Sequence, residues 1–349
     1  TMGEVGITPI PAPESDLDFG VAWHYGDPHR EQRILLAGEA SVDLSHWGVV
    51  TVTGVDRLTW LHSLTSAYLE GLEPGVSQTA LILSPHGHVE HELHVVDDSE
   101  TTWLIVPPNT SAGLVDYLNS MRFMMRVEVS EVSKEYAVVW EPVRQVDESI
   151  PTWLTPAEFA GIDAINSGTH RGGTADKYIV ARPELFLGRQ VIVPRDSLQE
   201  RLDQFPHRAG TWAFNAIRVA AGVPQWAHET DHKTLPHELG WIGSGVHLSK
   251  GCYRGQETVA RVHNLGKPPR RLVLLHLDGS ESDLPAHGDE VRTAAGKVVG
   301  SIGTAARHYE LGPIATAVIK RSTPADETLH VIHDGNVITA NQEVVISAS

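Results

Sequence analysis

The chain changes character at Pro268-Pro269, and that break constrains its fold more than any other feature. Beyond it only short β-prone runs occur: Leu272 to Leu277, Val298 to Ile302, Ile314 to Ile319, Leu329 to Ile332, Val337 to Ala340 and Val344 to Ile346. Turn signals such as Asp278-Gly279, Ala295-Gly296-Lys297 and Asp334-Gly335 separate them. Many short strands without helices form a small sandwich or barrel.

Upstream of the break, strand and helix signals alternate. Val49 to Val52 is a β-prone run stopped by Gly54 and Asp56, and Asp56 is placed to cap a helix carrying Leu58, Leu61 and Leu64. Leu81 to Leu83 and Thr102 to Val106 are strands, and Asn109 to Met121 is a helix with Leu114, Tyr117, Leu118 and Met121 on one face. Strand signals resume at Tyr136 to Trp140 and Tyr178 to Ala181. Between those two strands Thr155-Pro156-Ala157-Glu158 has the form of a capping box, and a further helix follows Asp196 through Leu198 and Leu202. Two similar batches of elements imply two α+β modules rather than one doubly wound sheet.

The expected organisation is a flexible N-terminal arm over residues 1–32, rich in Pro, Gly and acids, then modules at 33–130 and 131–205. A return segment at 206–267 and a β domain at 268–349 complete it. At 41% hydrophobic and 20% charged, the 349 residues can bury a sizeable core. The formal charge is −17, which disfavours stable association with nucleic acid or an acidic membrane. Cys252 is the single cysteine, so no internal disulfide can form. The N-terminal residues lack a basic region followed by an apolar run, and no stretch approaches a membrane helix. A cytoplasmic protein is the expectation.

The most unusual stretch runs Lys250-Gly251-Cys252-Tyr253-Arg254-Gly255-Gln256-Glu257 and on to Arg261. Two glycines bracket the thiol, so the backbone can turn tightly and approach a ligand. Lys250 and Arg254 favour the thiolate if they stay near it. Gln256 and Glu257 offer an amide and a carboxylate, groups suited to a heterocycle of mixed donors and acceptors. Against this stands the common fate of a lone cysteine, which is inert packing.

The octapeptide Lys250 to Glu257 resembles, at every specified position, the K-G-C-[FY]-x-G-Q-E signature of YgfZ-type proteins, relatives of the glycine-cleavage T-protein. Arg218 to Pro224 and Leu235-Pro236-His237-Glu238 are similar to the segments before this signature, and Gly266 to Leu272 to the family's entry into a C-terminal barrel. Val52 to Arg57, Trp60-Leu61 and Leu64-Thr65 resemble the superfamily's first βα motif. The resemblance covers about residue 45 to the end. It implies an α+β, T-protein-like ring of two modules and a small β-barrel around a central cleft that binds tetrahydrofolate or a derivative. It also implies a role in maintaining iron–sulfur client proteins, including one that thiomethylates tRNA. By the match, Lys250, Tyr253, Gln256, Glu257, Arg261 and Glu238 are expected at the folate cleft, and Cys252 as the functional thiol.

Three departures separate the chain from the T-protein itself. His91-Glu92 stands where the resemblance puts an aspartate pair, Ala220 where it puts a pterin-contacting glutamate, and Cys252 where it puts an aspartate. They argue for a folate binder without aminomethyl transfer. A folate-dependent transferase or demethylase is the alternative, and an interaction protein with a vestigial cleft is the third class.

His86, His88, His91 and His94 invite a metal hypothesis, yet on a strand His88 and His94 share one face and His91 takes the other. No HExxH is present, and no metal is expected. Nine tryptophans are scattered along the chain; Trp212, Trp226 and Trp241 flank the signature and are candidates to stack on a pterin. Neither a phosphate-binding glycine loop nor a G-x-S-x-G elbow occurs.

Overall fold

The computed structural model describes residues 8–14, 16–156, 186–265, 268–279 and 283–346. The strand expected at Tyr178 to Ala181 and most of the expected capping box lie outside them.

The N-terminal residues open with β1 (Ile10–Pro11) and β2 (Ala22–His24), paired antiparallel, and α1 (Pro28–Leu36). Asp27 caps α1 by accepting from Arg30 N at 2.9 Å, with Pro28 at the first helical position. This overturns a flexible arm for the described residues from 16 to 32. Their acids are bonded to distant segments instead of being solvated. Asp18 takes His46 Nε2 at 2.9 Å and Asn215 Nδ2 at 2.6 Å, and Glu31 takes Tyr25 N and Gly210 N at 2.7 and 2.9 Å. Gln32 bridges to Arg307 O and Tyr309 N.

β3 (Ala40–Asp43), β4 (Gly48–Thr53), α2 (Arg57–Leu64), β5 (Ser77–Leu83), β6 (Val89–Asp97), β7 (Thr101–Val106), α3 (Ser111–Ser120) and β8 (Glu128–Glu131) follow. The first sheet has the order β5-β6-β7-β4-β8. Val50, Val52, Leu93, Val95 and Leu104 close one of its faces against Trp60, Leu61 and Leu64 of α2 and Leu114 and Leu118 of α3. Asp56 stands at the N-cap of α2 without a side-chain cap bond. Its carboxylate binds Arg126 through the backbone N at 2.9 Å and the guanidinium at 2.9 and 2.6 Å, tying α2 to the entry of β8.

The second sheet uses β9 (Tyr136–Glu141), β10 (Thr152–Leu154), β11 (Arg189–Pro194) and, after α4 (Leu198–Leu202), β12 (His207–Ala209), in the order β10-β11-β9-β3-β12. It borrows β3 from upstream, and β12 runs parallel to that strand. The amphipathic α5 (Thr211–Ala221) packs on α1 and, by Trp212 on Trp23 (centroids 4.5 Å), on β2. It ends at Gly222, whose φ of +71° glycine adopts freely.

After α6 (Gln256–Leu265), strands β13 (Arg270–Leu277), β14 (Glu290–Thr293), β15 (Val298–His308), β16 (Gly312–Lys320), β17 (Leu329–His333) and β18 (Asn336–Val344) close a barrel in the order β13-β16-β15-β14-β17-β18. Closure leaves no sheet edge. A single apolar cluster, from Leu35 and Val42 through Trp140 and Ile217 to Leu272 and Ile314, joins both sheets, α5 and the barrel. No helix among the described residues is long and apolar enough to cross a membrane.

Candidate functional site

Strand β6 carries the site because its two faces do different work. Leu93 and Val95 enter the core under α2 and α3, whereas Glu92 and His94 point the other way, toward the second sheet. An irregularity in the β5–β6 register at Glu90 pairs Leu83 with Val89 and Ile82 with His91. It returns Val89 to the side of Glu92. His91 therefore faces away from His94, and among the described residues no group of three or more His, Cys, Asp or Glu side chains is arranged to hold a metal.

Glu92 and His94 line a hollow of about 420 Å³, measured to its open mouth, between the two sheets and α5. The walls are Trp47, Trp140, Trp153, Phe186 and Phe214. His94 lies flat on Trp153, with centroids 3.7 Å apart and planes within 4°. Its Nδ1 is 2.6 Å from Gln190 Oε1 of β11, and its Nε2 is 3.5 Å from Glu92 Oε1. The other Glu92 oxygen accepts from Trp226 N at 2.8 Å. Glu92, which with His91 stands where the resemblance puts an aspartate pair, is 4% exposed and its carboxylate is in the wall.

Three polar atoms of this lining have no hydrogen-bond partner among the described residues: Trp140 Nε1, Trp153 Nε1 and Thr155 Oγ1. Buried donors without partners are rare in a finished interior and mark where a ligand or water belongs. Arg218 also borders the hollow, but its guanidinium is occupied. It donates to Glu229 Oε2 at 3.0 Å, Val223 O at 2.9 Å and Thr304 Oγ1 at 2.7 Å, clamping α5 to barrel strand β15. It is a structural ion pair, with Glu229 held below the usual carboxylate range against its burial by Arg218 and the hydroxyls of Thr304 and Thr316.

The signature sits elsewhere. None of Lys250, Cys252, Tyr253, Gln256, Glu257, Arg261 and Glu238 lines the hollow. Lys250 Nζ donates to Thr65 O at 2.6 Å, Ala67 O at 2.8 Å and His62 O, covering the carbonyl end of α2. Burial pushes its ammonium down to about 8. Tyr253 is buried beneath it, and burial raises its phenol to about 12. Glu238 is fully buried and takes Arg270 Nε and Nη2 at 3.0 and 2.7 Å, anchoring the barrel's first strand. Gln256 and Glu257 begin α6, with Glu257 and Arg261 exposed. Of the bracketing glycines, Gly255 does make a close approach. It has φ +83°, and a Cβ there would lie 2.5 Å from Ser84 O. The neighbour is the β5–β6 hairpin, not a ligand. Cys252 is exposed.

The three tryptophans named as candidates lie away from the hollow. Trp212 stacks on Trp23, Trp226 lies beside His91, Trp241 is fully buried in the core, and none lines the hollow. Trp47, Trp140, Trp153, His94 and Gln190 are residues the sequence reading missed. The alternation of Glu92 and His94 on one strand face was the available signal.

No family model matches the chain. A chloroplastic protein of Arabidopsis thaliana is 25% identical over 281 residues, 76% of this chain and 61% of that one, so the chain spans less than two thirds of that relative. The tRNA-modifying protein YgfZ of Colwellia psychrerythraea is 22% identical, covering 72% of this chain and 74% of its own. An aminomethyltransferase of Streptomyces avermitilis is 28% identical over 333 residues, 88% and 85% of the two chains. The crystal structure of the glycine-cleavage aminomethyltransferase T from Bartonella henselae superposes with a TM-score of 0.72, over 98% of this chain and 94% of that one, at 15% identity.

The chain has the T-protein fold and is similar in sequence to YgfZ-type proteins and to aminomethyltransferases. Its T-protein fold places the hollow among the two sheets and α5, and its YgfZ-type signature braces α2 and the β5–β6 hairpin while leaving one thiol outside.

Proposed function

We propose that the chain binds a reduced folate in the hollow beside β6 and serves iron–sulfur client proteins as an accessory factor, including one acting in tRNA thiomethylation. The observation that carries the folate reading is the set of buried polar atoms without a partner among the described residues, Trp140 Nε1, Trp153 Nε1 and Thr155 Oγ1, in an aromatic wall. A pterin is planar and edged with donors and acceptors. The indole N–H groups would donate to its carbonyl and ring-nitrogen edges, Glu92 and Gln190 would accept from its amino edge, and the rings would flank its faces. A bound reduced folate would supply ring amines able to carry a one-carbon unit. The relatives named for tRNA modification and aminomethyl transfer support this reading. The exposed Cys252, apart from the pocket, supports a thiol that meets a client protein in an aqueous compartment such as the cytoplasm. A folate-dependent transferase or demethylase is the second reading, favoured by the Glu92 carboxylate in the wall.

Anaerobic calorimetric titration of tetrahydrofolate tests the pocket. Wild type binds, Trp153→Leu binds about tenfold more weakly for the loss of roughly 1.4 kcal/mol of ring and N–H contact, and Cys252→Ala binds as wild type. Absence of heat with wild-type protein sinks the folate reading. Cys252→Ala is expected to fail in restoring iron–sulfur enzyme activity to cells lacking the gene, and full rescue removes the thiol's role. Turnover of a methyl or aminomethyl donor with tetrahydrofolate selects the second reading.

A further inference from the structure

We propose that the His94–Glu92 pair makes this pocket a proton-transfer site, with His94 as the acid–base group and Gln190 as the residue that orients it. The inference rests on the hollow being the ligand site, and its first test does not depend on which ligand binds.

The geometry demands a proton between the pair. Gln190 Oε1 lies 2.6 Å from His94 Nδ1, so that ring nitrogen carries a hydrogen and donates it. The other nitrogen, Nε2, faces Glu92 Oε1 at 3.5 Å. A neutral ring with its hydrogen on Nδ1 would set a lone pair against a carboxylate, which is repulsive. The repulsion disappears when one further proton lies on Nε2 or on Glu92. The surroundings favour the ring as its holder. His94 lies face to face with Trp153 at 3.7 Å and has Trp47 at 5.7 Å on a tilted plane, and aromatic faces attract a cation. Both members are almost fully buried, at 6% and 4% exposure.

Of the residues lining the hollow, only Glu92, His94 and Arg218 bear titratable groups. β10 and β11 contribute Trp153 and Gln190, the segment before β4 contributes Trp47, and α5 contributes Arg218, whose charge Glu229 already answers. The pair is therefore the pocket's means of holding and moving a proton. The ligand class it suits has a weakly basic nitrogen, as the ring amines of a reduced pterin are. In the forward step the Nε2–H bond breaks and the ligand's nitrogen lone pair forms a new N–H bond. The ring becomes neutral and keeps Nδ1–H on Gln190, and the positive charge passes to the ligand. Glu92 stays anionic beside that charge in both states. In reverse the ring takes the proton from the ligand's N–H and leaves it a free lone pair.

The test is ¹⁵N NMR of histidine side chains in the full, ligand-free chain between pH 5 and 9, with His94 assigned from the signal that His94→Gln removes. Nδ1 is expected to stay protonated throughout, and the Nε2 signal to change in Glu92→Gln because the charge partner is gone. A His94 ring that remains one neutral tautomer over this range, indifferent to Glu92→Gln, overturns the proposal. Calorimetry of tetrahydrofolate in buffers of different ionisation enthalpy adds a ligand readout. Wild type is expected to exchange a proton on binding, and His94→Gln to bind without that exchange. Unchanged proton exchange in His94→Gln also overturns it. Normal ring titration together with no tetrahydrofolate binding counts against the folate reading alone.

Discussion

Lys250 belongs to the most distinctive motif of the chain, yet its charge is spent on backbone carbonyls at the end of α2. A motif specifies which residue types recur together, not which way each side chain turns. Three carbonyl acceptors, two of them deeply buried, fix the direction here. Lys250→Met keeps the apolar stem and removes the donor, leaving those carbonyls unsatisfied. We expect a loss of about 2–3 kcal/mol, read as a lowered urea midpoint, with tetrahydrofolate affinity unchanged in the folded fraction. A variant as stable as wild type that no longer binds tetrahydrofolate would return Lys250 to the ligand. Arg254, two residues beyond the thiol, pairs with Glu90 at 2.9 Å, but both side chains are about one third exposed, so the pair contributes little stability.

Among the elements, the helices and strands with clear periodicity were legible. The expected helix at Asn109 to Met121 is α3 at Ser111–Ser120, and the expected strand at Thr102 to Val106 is β7 at Thr101–Val106. β14, with the sequence Glu290-Val291-Arg292-Thr293, gave no signal because only Val291 and Thr293 turn inward and charged residues alternate with them. The N-terminal elements were masked by their acids. Composition cannot distinguish a solvated glutamate from Glu31, which is 4% exposed and accepts from two backbone N–H groups. One of those is Gly210 N at the start of α5, so Glu31 joins the first elements to the helix behind the pocket. Glu31→Ala is expected to cost about 2 kcal/mol by orphaning both donors, and to raise hydrogen exchange at Tyr25 and Gly210 first. Unaltered protection at those amides would show that the acid is not what holds the segment.

Across the whole molecule, the buried His228 and His237 and the half-buried His91 make the fold sensitive to acid. Burial holds His91 and His228 down to about 4 and His237 to about 3, whereas an unfolded chain protonates its histidines near 6.5. Because the folded values are depressed, the unfolded state takes up protons first as pH falls. Their contribution to stability is complete above pH 6.5 and is lost progressively down to about pH 4. Each proton contributes about 1.4 kcal/mol per pH unit in that window. Urea midpoints at pH 7, 6 and 5 are expected to fall with steepening slope, and more gently in His91→Gln. A midpoint constant from pH 7 to 5 would contradict these assignments. The same scale separates what each level decided. The sequence by itself determined the alternating elements, the β-only region after Pro269 and the resemblance to YgfZ-type proteins, because periodicity, turn chemistry and a short motif are local properties. The tertiary structure alone decided where the pocket lies. Its walls come from Trp47, Glu92, His94, Trp140, Trp153, Gln190 and Phe214, which approach one another only when β6, the second sheet and α5 pack. A buried polar group gains its meaning from partners far along the chain, and no local pattern records them.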